Sequence, residues 1–428
     1  MSTARVAVPP SPSADAAVPL PLLRDHDFLR YVAARGLSLV GTITTLIALP
    51  VLVYRLSGSA SLTALVTALE AAPYLLFGLL AGAFGDRWNR RVTMVRADLL
   101  GAALLASVPV AHWLDVLTVP HILAVAFLGP TLAVFFDGAA FGALPTLVGR
   151  GRVAQANSYV WTVQNLAEIV VPSLVGLALA FAHPATLLTL DALSFAASAL
   201  LLAGIARPLQ DDTRVRKPLS LRGIGEDIGE GLGYLWRHPG IRTMTIVGFT
   251  QCVAGGGFVS LMVVWSDRQL DIGTEGLRFG IVYGSWAIGS IVASLSLPRL
   301  LRGTTPARVT LVALPFSAAL GVLTPIWTDW RLGALSLLVW SVFYTTVVIN
   351  SISYRQEVTP EHLLGRVNTA GRMLSWGVGW TGGAFLAGAL ASTLGVQATM
   401  FACTAASFVG VLVAWTSPLA RARQLAVE

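Results

Sequence analysis

Long apolar runs separated by short polar segments make up most of the chain, and their length predicts its secondary structure. Twelve runs lie at about 32–54, 62–84, 92–113, 119–139, 155–181, 185–206, 243–266, 278–299, 309–327, 332–354, 367–392 and 396–416. Each approaches the roughly 20 residues that a helix needs to cross ~30 Å of hydrocarbon. None shows the period-two alternation, over about ten residues, that is typical of barrel strands. The pattern predicts an all-α membrane protein with twelve transmembrane helices.

The longest polar stretch, at 207–242, divides these spans into two sets of six. Apolar residues recur within it at helical spacing opposite acidic ones, which predicts an amphipathic helix on the membrane face. The chain then divides into five parts. A tail rich in Pro, Ser and Ala (1–30) precedes the first six-helix bundle (31–206), and the central loop (207–242) leads to the second bundle (243–416) and a C-terminal tail (417–428). The N-terminal tail is expected to be disordered.

The two halves also share a short sequence repeat. "GRV" occurs at Gly151–Val153 and again at Gly365–Val367, an offset of 214 in a chain of 428 residues. Each copy opens a long span that has an Asn near its start, Asn157 or Asn368. The repeat predicts two pseudo-symmetric six-helix bundles, an organisation found in many secondary transporters.

Charge distribution predicts the orientation. With the N-terminus in the cytoplasm, 25 of the 29 Lys and Arg residues fall on the cytoplasmic side and four outside. Basic residues are retained on that side during insertion, so both termini are expected in the cytoplasm and the protein in the plasma (inner) membrane. The same asymmetry accounts for the net charge of +7, so no nucleic-acid partner is expected.

A cluster of charge interrupts the apolar pattern between the second and third spans. "GAFGDRWNRR", from Gly82 to Arg91, resembles the signature loop of the major facilitator superfamily, although Asn89 stands where Gly is usual. Asn also tolerates a left-handed backbone, so the expected tight turn stays possible. The stretch "RQEVTPEHLLGRVN" at 355–368 resembles the branch that includes enterobactin-type siderophore exporters and macrolide efflux pumps. We call Gly82 to Arg91 the signature loop.

The resemblance implies a major facilitator fold and a gate at the signature loop. The gate residues would be Gly82, Asp86, Arg87, Arg90 and Arg91, with an inner partner region at Arg355, Glu357, Gly365 and Arg366. The carboxylate of Asp86 can lie at the positive N-terminus of a neighbouring helix or pair with an arginine. One acid among the four arginines of this cluster (Arg87, Arg90, Arg91 and Arg96) adds nothing to topology, which favours the gate for Asp86. Arg90 and Arg91 fit a gate and a purely topogenic role equally well.

Ionisable residues inside the spans are the candidates for coupling or substrate binding, because such groups are costly at membrane depth. They are Glu70, Glu168, Asp137 and Arg35. A carboxyl at that depth can exchange a proton for a cationic substrate. Asp137 fits a gate contact as well as a structural pair. Structural bonding to nearby donors, such as a loop arginine for Asp98, is the favoured interpretation for Asp98 and Asp191.

Two patterns of the exporters are incomplete here. Only Pro172 and Gly176 remain of the glycine-proline-glycine run in span five, and the Arg that many drug–proton antiporters carry in span four is missing. Helix bending is expected at Pro172 and Gly176 and, in the glycine-rich span eleven, at Gly382 and Gly383.

Other classes of function fit poorly. The only lysine, Lys217, precedes Pro218, so the chain contains no GxxxxGK[ST] nucleotide loop. The six histidines are scattered, which argues against an enzyme; no catalytic residue, metal or cofactor is expected. The sequence predicts a monomeric exporter of a small amphipathic molecule (a drug-like compound, natural product or siderophore) in exchange for protons. Proton-coupled uptake of a metabolite is the alternative, and a non-transporting receptor or scaffold is a distant one.

Overall fold

The structure, a computed structural model, describes residues 21–85, 88–179, 181–210 and 221–421. The first half contains six long helices, and the loops between them alternate between two sides of the bundle. The bounds are α1 (His26–Ser57), α2 (Ala60–Gly85), α3 (Arg90–Trp113), α4 (Val119–Val148), α5 (Val153–Ala178) and α6 (Pro184–Ala203). We call the side that carries the α2–α3 loop the signature-loop side and the opposite side the far side.

The second half repeats this plan after a connecting helix. Its helices are α7 (Leu221–Arg237), α8 (Pro239–Arg268), α9 (Gly276–Leu300), α10 (Pro306–Leu323), α11 (Trp330–Val358), α12 (Glu361–Arg372), α13 (Thr381–Leu394), α14 (Val396–Thr416) and the short α15 (Pro418–Arg421). A π-helical segment, Met373–Trp380, joins α12 to α13. No strand occurs among the described residues.

Helix length and composition agree with a membrane-spanning protein. Ten of the described helices contain a stretch long and apolar enough to cross a membrane. The other two predicted spans are helical as well, as α5 and as the continuous series from α12 to α13. The fourth span is longer than predicted, because α4 continues through Pro145 to Val148.

Local chemistry sets several helix ends. Asp25 caps α1 by accepting hydrogen bonds from the backbone N–H groups of Asp27 and Phe28, at 3.1 and 3.2 Å. Gly58, with φ of +61°, ends the same helix in the left-handed conformation, which costs glycine little. Each cap satisfies backbone groups that have no partner within the helix.

The connecting helix α7 packs against the twelfth. Leu235 of α7 is fully buried with Leu363 and Val367 of α12. A Cβ on Gly231 would come within 2.6 Å of the carbonyl oxygen of Arg366, so the two backbones nearly touch. The part of α7 around Leu235 is therefore covered by α12.

Candidate functional site

Charged and polar side chains join the two halves on the far side. The hydroxyl of Tyr54, on α1, donates to Asp267 of α8 at 2.7 Å and accepts from Arg268 Nε at 3.1 Å. Arg55 forms an ion pair with Glu275, with 2.9 Å between Nη2 and Oε2. These three contacts cross from one half to the other, and we call the residues that make them the far-side lock.

An apolar core lies directly beneath this lock and is also shared by both halves. Its buried members come from helices of both halves and include Ile47, Val51, Ala64, Val175, Phe258, Val264, Phe279 and Ala387. Within it α5 and α9 cross at Gly176 and Gly280, where a Cβ on Gly176 would lie 2.5 Å from the Cα of Gly280. The two halves are therefore closed against each other on the far side.

The signature-loop side presents a different arrangement, centred on Arg35 and Asp137. Arg35 Nη1 lies 2.8 Å from Asp137 Oδ1, which joins α1 to α4 within the first half. Both residues lie about 14 to 16 Å along their helices from the signature-loop side, at 1.5 Å per residue. The Asp137 side chain is nevertheless 49% exposed, and that of Arg35 is 16% exposed. An accessible ion pair at this depth lines a space that is open to solvent.

Two further polar side chains border the pair. Tyr74 of α2 is 42% exposed, and its hydroxyl lies within the electrostatic influence of Asp137, of Arg35 and of Arg372. Arg372 ends α12, in the other half, and is exposed. Arg35 also lies over the ring of Phe136, 5.7 Å from its centroid. The pair is therefore flanked by aromatic rings and faces a second arginine across the halves.

This geometry can bind an organic ion. Asp137 offers one partly solvated carboxylate, and Arg35 holds it in place through a single hydrogen bond. A cationic ligand at Asp137 would compete with Arg35 for the same oxygen atoms. Charges act strongly on one another where protein excludes most of the water, so such a competition would alter the position of Arg35.

The predicted carboxylate Glu70 is not part of this pair. Glu70, on α2, is 4% exposed, and its Oε1 has no hydrogen-bond partner among the described residues. It lies within the electrostatic influence of Tyr283 on α9, so it faces the other half. Glu168 belongs to α5, but its side chain lies outside the part that the structure describes.

The signature loop is described only in part. Asp86 and Arg87 lie outside the described residues, and Gly82 is in the last turns of α2. Asn89 is not left-handed: with φ of −64° and ψ of 110° it is the N-cap of α3 and accepts from the N–H of Val92. The position is therefore filled by a capping residue, which does not need the freedom of glycine.

The next two arginines of the loop bind inside their own half. Arg90 is 8% exposed and donates from Nη1 to the carbonyl oxygen of Gly142 at 2.7 Å. A Cβ on Gly142 would overlap that guanidinium. Arg91 donates to the carbonyl oxygen of Arg207 at 2.5 Å. These contacts fasten α3 to α4 and to the segment that follows α6.

The predicted inner partner region is also engaged within its own half. Arg355 is 2% exposed, and its Nε donates to Asn368 Oδ1 at 3.1 Å. Arg366 pairs with Glu230 of α7. Glu357 is exposed near the end of α11, and Gly365 lies within α12.

The residues expected to bend helices have different surroundings. α5 continues through Pro172 to Ala178, and Gly176 forms the crossing with α9 described above. A Cβ on Gly383 would come within 2.3 Å of the carbonyl oxygen of Val253, so this glycine allows α13 to pack against α8. A Cβ on Gly382 would meet nothing within 4 Å. The irregular part of span eleven is the π-helical segment that ends just before them.

Sequence reasoning missed the far-side lock and Tyr74. The only signal for the lock was that Arg55, Asp267 and Arg268 stand at the ends of predicted spans, where charges are ordinary. Tyr74 lies within an apolar run and has no distinctive neighbour in sequence. Both became visible only when the packing of α1 on α8, and of α2 near α4, was known.

Comparison with known proteins agrees with the resemblance. The sequence model of the Major Facilitator Superfamily matches residues 32–375. The "Multidrug efflux pump Tap" of Mycolicibacterium fortuitum is 30% identical over 370 residues, which cover 84% of this chain and 87% of that protein. The "Enterobactin exporter EntS" of Shigella boydii is 25% identical over 413 residues, which cover 92% and 91%.

A solved structure with the same fold is a bacterial homologue of the human lysosomal transporter Spinster, in an inward-facing and unoccupied conformation. Its TM-score is 0.73 at 12% identity, and the match covers 93% of this chain and 97% of that one. At this identity the likeness concerns the fold alone.

Proposed function

The chain belongs to the major facilitator superfamily, and we propose that it exports an amphipathic organic cation from the cell by alternating access. The two halves would rock about the far-side core, so that the substrate site opens to one side of the membrane at a time. Protons moving inward would drive the export.

The observation that carries the substrate class is the exposure of Asp137 about 16 Å along α4 from the signature-loop side. A carboxylate that is half exposed, flanked by aromatic rings and held by one arginine, suits a ligand with one positive charge and an apolar body. The similarity to a multidrug efflux pump supports a drug-like substrate.

A siderophore is the second candidate, and a specific observation favours it. Arg35 and the exposed Arg372 present positive charge at the same depth, which suits an anionic catecholate. The similarity to an enterobactin exporter supports this possibility. A cationic substrate would bind to Asp137, whereas an anionic siderophore would bind to Arg35.

Orientation follows from the charge asymmetry of the sequence. We place the signature-loop side, with both termini, in the cytoplasm, because most Lys and Arg residues lie there. The conformation closed on the far side is then the inward-facing one, ready to take substrate from the cytoplasm.

Transport into inside-out membrane vesicles tests the proposal. The vesicles would be energised to acidify their interior and given ethidium, tetraphenylphosphonium or iron-free enterobactin. We expect accumulation of the two cations that stops when nigericin collapses the pH gradient. Vesicles that lack the protein provide the background.

Accumulation of enterobactin without either cation would show that the substrate is the anionic siderophore. Uptake that continues after nigericin, in the presence of a membrane potential, would contradict electroneutral proton coupling. No accumulation of any of the three, with the protein present in the membrane, would contradict the proposed function.

A further inference from the structure

A second acid lies on the other side of Arg35, inside the first half. Asp98, on α3, is 1% exposed. Neither of its carboxylate oxygens has a hydrogen bond among the described residues, so the arginine expected beside it from the sequence does not bind it. Ser38 of α1 and Ser198 of α6 lie next to it. The hydroxyl of Ser198 is also fully buried and unpartnered.

An ionised carboxylate in such a place is disfavoured, because burial removes its water and no hydrogen bond among the described residues replaces it. The carboxyl of Asp98 is therefore neutral in this conformation and carries a proton. It becomes an anion only if a cation approaches or water enters.

Among the described residues, the cation that is in a position to do this is Arg35. Arg35 acts electrostatically on Asp98 and lies one turn before Ser38 on the same face of α1. In this structure its guanidinium is bound to Asp137, on α4. On α6, Ser198 lies beside Asp98, and Asp191 lies farther along the same helix. Arg35 thus lies between Asp137, which is accessible, and Asp98, which is buried.

A line of hydroxyl groups continues from Asp98 toward the far side. Ser194 lies one turn from Ser198 on α6 and donates to Asp191 Oδ1 at 3.4 Å. Thr45 of α1 donates to the other oxygen of the same carboxyl. A Cβ on Gly41 would overlap Asp191 Oδ1, so glycine makes the room for this carboxyl. The seam between α1 and α6 therefore has polar groups from one buried acid to the other.

We propose that Asp98 is the proton-carrying residue of this transporter and that Arg35 couples it to the substrate. A cation that binds Asp137 displaces Arg35, which turns to Asp98. The O–H bond of the Asp98 carboxyl then breaks, and the proton passes to water on the signature-loop side. After the cation has left on the far side, Arg35 returns to Asp137. Asp98 then takes up a proton that enters along the α1–α6 seam.

The inference rests on the proposed function, because it requires a cationic substrate. It also explains how protons could be coupled to export without the arginine that many drug–proton antiporters carry in span four. Arg35 supplies a cation from α1, and the proton is bound outside the substrate cleft.

Proton release on binding tests it. Purified full-length protein in weakly buffered detergent solution, with a pH indicator, would be titrated with tetraphenylphosphonium. We expect the unmodified protein to release about one proton per cation bound near neutral pH, and Asp98→Asn to release at least about five-fold fewer. Its affinity for the cation should no longer change between about pH 6 and pH 8. Asp115→Asn, at an exposed loop acid, is the matched control and should behave as the unmodified protein.

Arg35→Gln provides the second variant, in case Asp98→Asn does not fold. It leaves Asp98 without its cation, so proton release should be lost in the same way. Undiminished release from either variant would overturn the assignment. An unmodified protein that binds none of the cations contradicts the proposed function, and this inference with it. Normal cation transport with release retained in Asp98→Asn contradicts the inference alone.

Discussion

The two sides of the molecule use their charges differently. On the far side, Tyr54, Arg55 and Arg268 bond from one half to the other. On the signature-loop side, the described ion pairs stay within one half, as Arg207 with Asp25, Arg35 with Asp137, and Arg366 with Glu230 do. Pairs within a half can survive a rocking motion, whereas pairs between halves must break. The far-side contacts therefore set how readily the protein opens there, and the pairs on the other side keep each half rigid or bind the substrate.

The largest effect is expected at the Arg35–Asp137 pair. Asp137→Asn removes the accessible carboxylate that we assign to the cation. Uphill export should fall at least ~10-fold, because each 1.4 kcal/mol of lost interaction is a factor of ten in affinity. Vesicle uptake of ethidium measures it, and Asp115→Asn is the control. Export by Asp137→Asn within a factor of two of the unmodified protein would remove Asp137 from the substrate site.

The next effect is expected at the crossing of α5 and α9. Gly176→Ala would force a methyl group against the backbone of Gly280, which cannot rotate away. We expect about 1–3 kcal/mol less stability for the closed far side. Cysteine labelling at Ala387→Cys, a buried position in the shared core, should then be at least several-fold faster. The natural cysteines, Cys252 and Cys403, are buried and give little background.

Gly382→Ala is the matched control for that substitution. A Cβ there meets nothing within 4 Å, so labelling should stay the same and the helix could gain up to ~1 kcal/mol in propensity. Equal effects of the two alanines would show that the α5–α9 crossing does not hold the far side closed.

A smaller effect is expected from the far-side lock. The carboxylate of Glu275 is 63% exposed, and exposed ion pairs contribute at most about 1 kcal/mol. Arg55→Gln should therefore raise labelling at Ala387→Cys by about two- to fivefold. Glu230→Gln breaks the Arg366 pair within one half and should leave far-side labelling unchanged. An equal rise in both variants would contradict the distinction between the two sides.

The sequence predicted the fold well because its main signal is local. Twenty apolar residues in a row must span a membrane as a helix, and the six-plus-six division followed from one polar stretch. The pairing of Arg35 with Asp137 was not predictable in the same way, although both residues were candidates. They are far apart in sequence, and only the packing of α1 against α4 brings them together.

Asp98 shows the limit of sequence reasoning more clearly. A buried acid near a loop rich in arginine was expected to be paired, and the structure leaves it without a hydrogen bond among the described residues. Arg90 and Arg91 of that loop bind backbone carbonyl groups. The rotation of each helix about its axis decides which of several nearby donors a carboxyl contacts. A periodic apolar pattern specifies this rotation only roughly.

The smallest expected effect concerns the pH on the far side. The rings of His112 and His183 stack there with centroids 4.2 Å apart. Burial, together with the charges of His112 and Arg55, lowers the pKa of His183 below its ordinary value. His183 is therefore neutral at neutral pH, and it gains a proton only as the pH falls below about 6.5. Because the closed arrangement disfavours that proton, acid destabilises the closed far side.

Labelling at Ala387→Cys should thus rise about twofold between about pH 7 and pH 5, and His183→Asn should abolish the rise. Asn keeps the helix cap that His183 provides by accepting from the N–H of Ala185, so its loss of pH dependence would not reflect a lost cap. The reactivity of the thiol itself also changes with pH, and comparing the two proteins at each pH removes that contribution. The same rise in His183→Asn would place the titrating group elsewhere. A rise confined to the unmodified protein would mean that an acidic exterior itself favours the state in which the proton enters and the substrate leaves.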